Sequence, residues 1–394
     1  MAVSRKIGES IESSSWIRKM FETGNVLRAK HGADKVCDLS LGNPDVEPPA
    51  EVQRAIEGIV AARIQRKHGY MPNAGFPETR AAVAAQVGKE QGVPLAAENV
   101  VMSCGASGAM NVSLKTLLNP GDEVIACAPY FMEYGSYVDN HGGRLVPVPT
   151  AKDFDLDVDA IAAAVTPRTA AIIINSPNNP TGRIYPETTL KRLADALLEA
   201  GRRTGRTIYL VADEPYRKLA YDGVCVPGVM SLYPHSIVVS SYSKDLSLPG
   251  ERIGYAAVSP SADDAKRVVD GIVLCTRILG YVNAPGLMQR VVAGIQGVSV
   301  DVEIYRRKRD MFCAALKEMG YDFTVPEGAF YIFPRAPGGD DLAFVNALQE
   351  ELVLAVPGRG FSLPGYFRIA YCVDTPVIER SLEGFRKVIG RLEK

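Results

Sequence analysis

The sequence carries almost no net charge. Its 394 residues set 44 Lys and Arg against 45 Asp and Glu, a formal charge of −1 with the four His neutral. That balance gives no electrostatic footprint for nucleic acid or for an anionic membrane surface, so neither partner is expected. Paired cysteines are also missing. Cys37, Cys104, Cys127, Cys225, Cys275, Cys313 and Cys372 stand far apart, form no C-x-x-C pair and are odd in number. A metal site or a disulfide framework is therefore not expected; buried thiols in a reducing cytosol are. No apolar run approaches the roughly 20 residues of a membrane span. Met1 to Lys6 lead into a polar stretch without the apolar core of a signal peptide, so a cytoplasmic location is expected. Repeats, low-complexity tracts and long Gly/Ser or Pro-rich linkers are absent, so any domains should pack together. At about 150 residues per domain the length suggests two or three of them. The 47% hydrophobic content excludes disorder. A chain this long buries a core large enough to need no disulfide or metal staple.

What is present is a rhythm of buried strands and helices. Trp16, Ile17, Met20, Phe21 and Leu27 recur at helical spacing, and a Pro/Gly-rich turn follows at Leu41-Gly42-Asn43-Pro44. Then come uninterrupted apolar runs at 100–102, 123–126, 170–174, 208–212 and 236–240. Strands buried on both faces read this way, which predicts an α/β fold with a mostly parallel sheet between helices. The last hundred residues differ. A charged helix is expected over 300–319, aromatic strands over 329–333 and 366–370, and a closing helix over 377–392. This predicts a smaller α+β domain. The basic run Arg306-Arg307-Lys308-Arg309 reads as a solvated helix face.

In open α/β sheets, ligands bind beyond the carboxyl ends of the strands. The unusual polar residues fall there. After 100–102 comes Ser103-Cys104-Gly105-Ala106-Ser107-Gly108, where small residues let backbone N–H groups reach an anion or simply make a tight turn. The full G-x-G-x-x-G spacing is lacking, which disfavours a dinucleotide. After 170–174 comes Asn175-Ser176-Pro177-Asn178-Asn179-Pro180-Thr181-Gly182. Asn179 either projects an amide into a cleft or satisfies its own turn. After 208–212 stands Asp213, a carboxylate that is costly at a buried strand end without a cation, or else a helix cap. After 236–240 come Ser241, Ser243 and Lys244, with Arg252 eight residues on. A partly buried lysine can act as a nucleophile toward carbonyls, and the two hydroxyls with Arg252 suit a phosphate. Taken singly, each of these cations could equally be a surface residue.

The stretch Ser241–Gly254 resembles the pyridoxal-phosphate attachment signature of the class I/II aminotransferases, the aspartate aminotransferase family of fold type I. Asn179-Pro180-Thr181-Gly182, Asp213-Glu214-Pro215-Tyr216, Pro326–Tyr331 and Phe367-Arg368-Ile369-Ala370 are similar to further motifs of that family, in its order. Leu41–Pro44 and Gly69-Tyr70 through Gly75 fit as well, so the resemblance spans nearly the whole chain.

The resemblance implies a seven-stranded-type sheet in a large pyridoxal-phosphate-binding domain over 46–285, with a small domain from 1–45 and 286–394. It implies Lys244 as the residue that forms a Schiff base with the coenzyme and then moves the substrate Cα proton. Asp213 would sit beside the pyridine nitrogen, where the pairing should lower its pKa. Tyr216 and Asn179 would bond the ring's phenolic oxygen. Ser241, Ser243, Arg252 and backbone N–H groups near Gly105 and Ala106 would hold the phosphate, and Phe131 would stack on the ring. Arg368, with Asn179, would bind the substrate α-carboxylate, for which Gly42 would leave room. Tyr70 would reach the partner subunit's phosphate, which implies a homodimer. Phe131 and Cys104 depart from the family, which more often has Trp or Tyr and a small residue at these places. The implied function is transamination between an L-amino acid and a 2-oxo acid by a ping-pong mechanism, with aspartate a candidate donor. A carbon–sulfur β-lyase using the same coenzyme is the alternative. Family members that take dicarboxylates use a second arginine from the partner subunit; Arg277 either is that residue, reading a distal carboxylate, or makes a surface ion pair. A coenzyme-sensing regulator would need a DNA-binding segment, for which a first motif at residue 41 leaves no room.

Overall fold

The structure, a computed structural model of the chain, describes residues 2–12 and 16–392. Strand β1 (Cys37–Asp38) belongs to a small sheet described below. Strands β2 (Val100–Ser103), β3 (Glu123–Ala128), β4 (Arg144–Pro149), β5 (Thr169–Asn175), β6 (Tyr209–Asp213), β7 (Ser236–Ser241) and β8 (Gly254–Val258) form one seven-stranded sheet in the order β2-β8-β7-β6-β5-β3-β4. All are parallel except β8, which runs antiparallel to both neighbours. The apolar runs of the sequence are β2, β3, β5, β6 and β7, and every residue in them is buried. Successive residues of β5 face opposite layers: Ile172 and Ile174 join one core, Ala171 and Ile173 the other. This is the expected mostly parallel sheet between helices.

A third core holds the small domain's aromatic residues, among them Tyr305, Phe312, Phe330, Phe344, Phe367 and Phe385. It is built around β9 (Tyr331–Ile332), β10 (Val353–Leu354), β11 (Val356–Pro357) and β12 (Phe367–Ala370). Strands β11, β12 and β9 pair antiparallel, and β10 pairs parallel with β1. The N-terminal residues Cys37 and Leu39 thus share a core with the last hundred residues.

Several expectations need correction. The edge strand β4, with two prolines and five incompletely buried residues, lacks the apolar run that marks the others. Strand β8 is short and opens on a glycine. Neither stood out in the sequence. The aromatic strand expected over 329–333 is only two residues long. Only half of the basic run is a solvated face: Arg306 and Arg307 lie toward solvent, Lys308 and Arg309 do not. Tyr305, Lys308, Arg309 and Phe312 lie on the inward side of the helix Val302–Glu318, where Lys308 pairs with Asp45 and Arg309 with Asp222 at 2.6 Å. Cys225 is exposed and Cys104 half-buried, so the thiols are not all internal. Phe21 is 44% exposed although Met20 beside it is buried. No described helix is long and apolar enough to cross a membrane, and no group of described residues could hold a metal ion.

Candidate active site

A cavity of about 330 Å³ opens beyond the carboxyl ends of β5, β6 and β7, against the small domain. Every site residue expected from the sequence lines it except Gly105 and Tyr70. Gly105 lies just behind, and Tyr70 is 94% exposed and reaches no part of its own chain's cavity. Arg277 is exposed near the end of the helix Ala265–Ile278 and does not line the cavity either.

Lys244 sits at the centre. The sharp turn after β7 carries it, and its Nζ donates to the Gly42 carbonyl at 2.7 Å. Burial lowers its pKa to about 8, and the nearby Arg368 and Arg252 push the same way. A larger share of free amine at neutral pH follows, which is the form that attacks a carbonyl.

Asp213 ends β6. Its backbone carbonyl accepts from Asn175 Nδ2 at 2.8 Å, which ties it to the end of β5. Its Oδ2 accepts from the Tyr134 hydroxyl at 2.5 Å, and its Oδ1 is buried without a partner. Burial holds the carboxyl up at about 7 in the chain alone. The lowering expected from the sequence requires a cation that no described residue supplies here. A buried carboxylate with one oxygen free is the arrangement that a protonated ring nitrogen completes.

At the opposite wall, Arg368 is 1% exposed and sandwiched between the Tyr331 and Phe361 rings at 4.5 and 4.8 Å. Its Nη1 donates to Asn179 Oδ1 at 2.9 Å and its Nη2 to the Ser40 carbonyl at 2.5 Å, while Nε is buried and unpartnered. The guanidinium is fixed in place with donor capacity left for a carboxylate. Asn179 is itself anchored by its backbone N–H on Asn175 Oδ1 at 2.6 Å. Tyr216 and Tyr331 share a hydroxyl–hydroxyl hydrogen bond of 2.8 Å beside them.

Gly42 lines the cavity and leaves room for a neighbouring ring as well. A Cβ there would overlap the Tyr331 hydroxyl. At the third wall, Gly105 has φ +73° and opens the helix Gly105–Leu117. A Cβ on it would stand 2.8 Å from Arg252 Nη2. Only glycine therefore allows the guanidinium to lie over the first turn of that helix, where Ala106 and Ser107 line the cavity. Ser241 and Ser243 are buried on the same side. Phe131 stands edge-on to Tyr134 at 5.7 Å between ring centres.

Sequence reasoning missed Tyr134 and Glu133, and gave Tyr331 no role beyond its place in the Pro326–Tyr331 motif. A tyrosine three residues beyond Phe131 was the available signal for Tyr134.

A family profile, Aminotransferase class I and II, matches residues 34–385. Among curated relatives, the aspartate/prephenate aminotransferase of Thermus thermophilus is 32% identical over 376 residues, covering 92% of this chain and 93% of that protein. The aspartate aminotransferase of Geobacillus stearothermophilus is 30% identical and covers 96% of this chain and 97% of that one. Among solved structures, an amino transferase from Eubacterium rectale superposes with a TM-score of 0.96 at 39% identity, each chain fully covered. The Thermus thermophilus aspartate aminotransferase with maleate gives 0.87 at 30% identity, covering 98% of this chain and all of the other. These comparisons support transamination and lend the lyase alternative no support. The chain belongs to the class I and II aminotransferase family, whose enzymes move amino groups with pyridoxal 5'-phosphate as coenzyme.

Proposed function

We propose that this cavity transfers the amino group of an L-amino acid to a 2-oxo acid in two half-reactions, with each expected residue in its expected role. The observation that carries the reading is the single cavity in which a pKa-lowered Lys244, a half-satisfied buried Asp213 and a half-satisfied buried Arg368 converge. The coenzyme, when bound, supplies an electron sink for the Cα electron pair. Asp213 Oδ1 would hold the proton on its ring nitrogen, and Tyr134 fixes the other carboxylate oxygen. Arg252, Ser241, Ser243 and the first turn after Gly105 would hold its phosphate. Tyr216 and Asn179 would bond its phenolic oxygen, and Phe131 would cover one ring face. Arg368 orients the substrate α-carboxylate, and Lys244 Nζ takes and returns the Cα proton.

The names of the relatives make aspartate the first donor to assay. We further propose a homodimer in which Tyr70 completes the partner's phosphate site, and a cytoplasmic location. The exposed apolar residues Val60, Leu274, Ile278 and Val282, with Tyr70, suit such an interface. We place the second domain boundary beyond Ala293 rather than at 285, because Met288, Val291 and Val292 pack in a core of the large sheet.

The test is a half-reaction. Holoenzyme given a donor but no acceptor should release one 2-oxo acid per site and stop. Release that continues, with free ammonia, would make the protein a lyase. Arg368→Ala should lower kcat/KM for every donor by roughly 30-fold or more, since losing one partner of a desolvated charge pair costs about 2–5 kcal/mol.

A further inference from the structure

Five charged side chains line the cavity. Arg252, Lys244, Asp213 and Arg368 have work in the reaction described above; Glu133 has none. It opens the short helix Glu133–Asp139, two residues after Phe131. The ordinary role of a carboxylate there is to meet the N–H groups of the first turn, and Glu133 does lie against its own backbone N–H. That accounts for part of the carboxylate only. Glu133 Oε2 is buried and has no hydrogen-bond partner among the described residues. Arg368 lies near enough to favour the charged form, yet directs its Nη1 and Nη2 to Asn179 and Ser40 instead. Burial outweighs both of these and pushes the Glu133 carboxyl up.

We propose that Glu133 determines the donor, selecting amino acids whose side chain ends in a nitrogen donor, an ammonium or a carboxamide, and disfavouring a second carboxylate. The inference deepens the aminotransferase reading and rests on it. Once the coenzyme and the α-carboxylate have engaged Arg252, Lys244 and Arg368, the lining of this chain's cavity holds no further cation. It does hold one carboxylate with an oxygen to spare. A nitrogen donor at the end of the side chain would satisfy that oxygen and recover the cost of its burial. A dicarboxylic substrate would instead place a like charge beside it. This preference differs from that of the relatives named for aspartate.

Binding of substrate analogues without an α-amino group tests the idea apart from turnover. Glutarate, 5-aminopentanoate and pentanoate share one carboxylate for Arg368 and differ at the far end. Their affinities for the holoenzyme are read by titrating the coenzyme's visible absorbance. In the wild type, 5-aminopentanoate should bind about tenfold or more tighter than glutarate, the scale of a like-charge penalty replaced by an attraction. In Glu133→Gln, which keeps the shape of the side chain, that ratio should fall by at least tenfold, and glutarate should gain on pentanoate. Glu133→Ala should shift both ratios the same way. Ratios that stay within twofold across all three proteins would reduce Glu133 to a helix-start carboxylate and overturn the proposal, as would tighter binding of glutarate to the wild type. Holoenzyme that answers none of the three probes and transfers no amino group from any donor would overturn the underlying reading as well.

Discussion

Asp213 and Lys244 carry opposite displacements for one reason, since burial disfavours the charged form of each. For Asp213 the unfolded chain releases its proton above about pH 4, whereas the folded chain holds it until about pH 7. The folded apoprotein therefore loses stability relative to the unfolded chain as pH rises across that window, by an amount on the order of 4 kcal/mol at most. Asp213→Asn should abolish this slope. Apoprotein carrying it should melt above the wild type at pH 7, with the gap closing toward pH 5, while coenzyme affinity falls. An unchanged slope in thermal unfolding would show that Asp213 does not hold its proton as the structure implies. For Lys244 the sign is reversed. Its amine is freed near pH 8 rather than above 10. Covalent attachment of coenzyme to the apoprotein should accelerate with pH, with a midpoint near 8. Lys244→Ala should carry no coenzyme mass after borohydride reduction. A midpoint above 10 would mean that the lysine is solvated.

At the scale of elements, the loop after β5 is held by a segment far along the chain. The Glu327 carboxylate accepts from the Ile184 N–H at 2.9 Å and from Arg183 Nη1 at 3.2 Å. The Gly182 carbonyl accepts from the N–H groups of Glu327 and Gly328 at 3.0 and 2.9 Å. A Cβ at Gly182 would strike Pro326, and one at Gly328 would strike Pro177 and the Leu219 carbonyl, so the two loops touch backbone to backbone. This clamp sets where Asn179 meets Arg368. Glu327→Ala should raise KM for donor and acceptor about 5- to 30-fold, the worth of one or two hydrogen bonds, and should lower kcat less. Equal loss in kcat would place Glu327 in the chemistry itself. These loops also show what the sequence could disclose. Asn179, Asp213, Lys244 and Arg252 were legible because each follows a buried strand, where a polar residue needs a reason. Arg368 was legible only through the resemblance of Phe367–Ala370 to a family motif. Tyr134, Tyr331 and Glu133 were not legible, because a tyrosine near a core and a glutamate at a helix start are both ordinary. Strand β8 was hidden for a related reason: five small or mixed residues carry no period.

At the scale of the whole molecule, the exposed Tyr70 takes no part in lining its own cavity. If it serves the partner, inactive Lys244→Ala and Tyr70→Phe subunits should complement each other on mixing. One site of the hybrid then carries both lesions and the other carries neither, so up to half of the wild-type activity should return. Mixtures that stay inactive, or a fully active monomer by sedimentation, would end the idea. The pairing of β1 with β10 has a different consequence, for the order of events during synthesis. The seven-stranded sheet has all its strands once residue 258 has left the ribosome. The segment carrying β1, Leu39 and Gly42 is made first, yet it finds its partners only when Val353, Leu354 and Ala370 arrive. Until then its apolar residues wait uncovered beside a finished sheet. The turn at Gly42 is thus among the last parts of the site to settle, and the nascent chain remains without a working site until Ala370 has emerged.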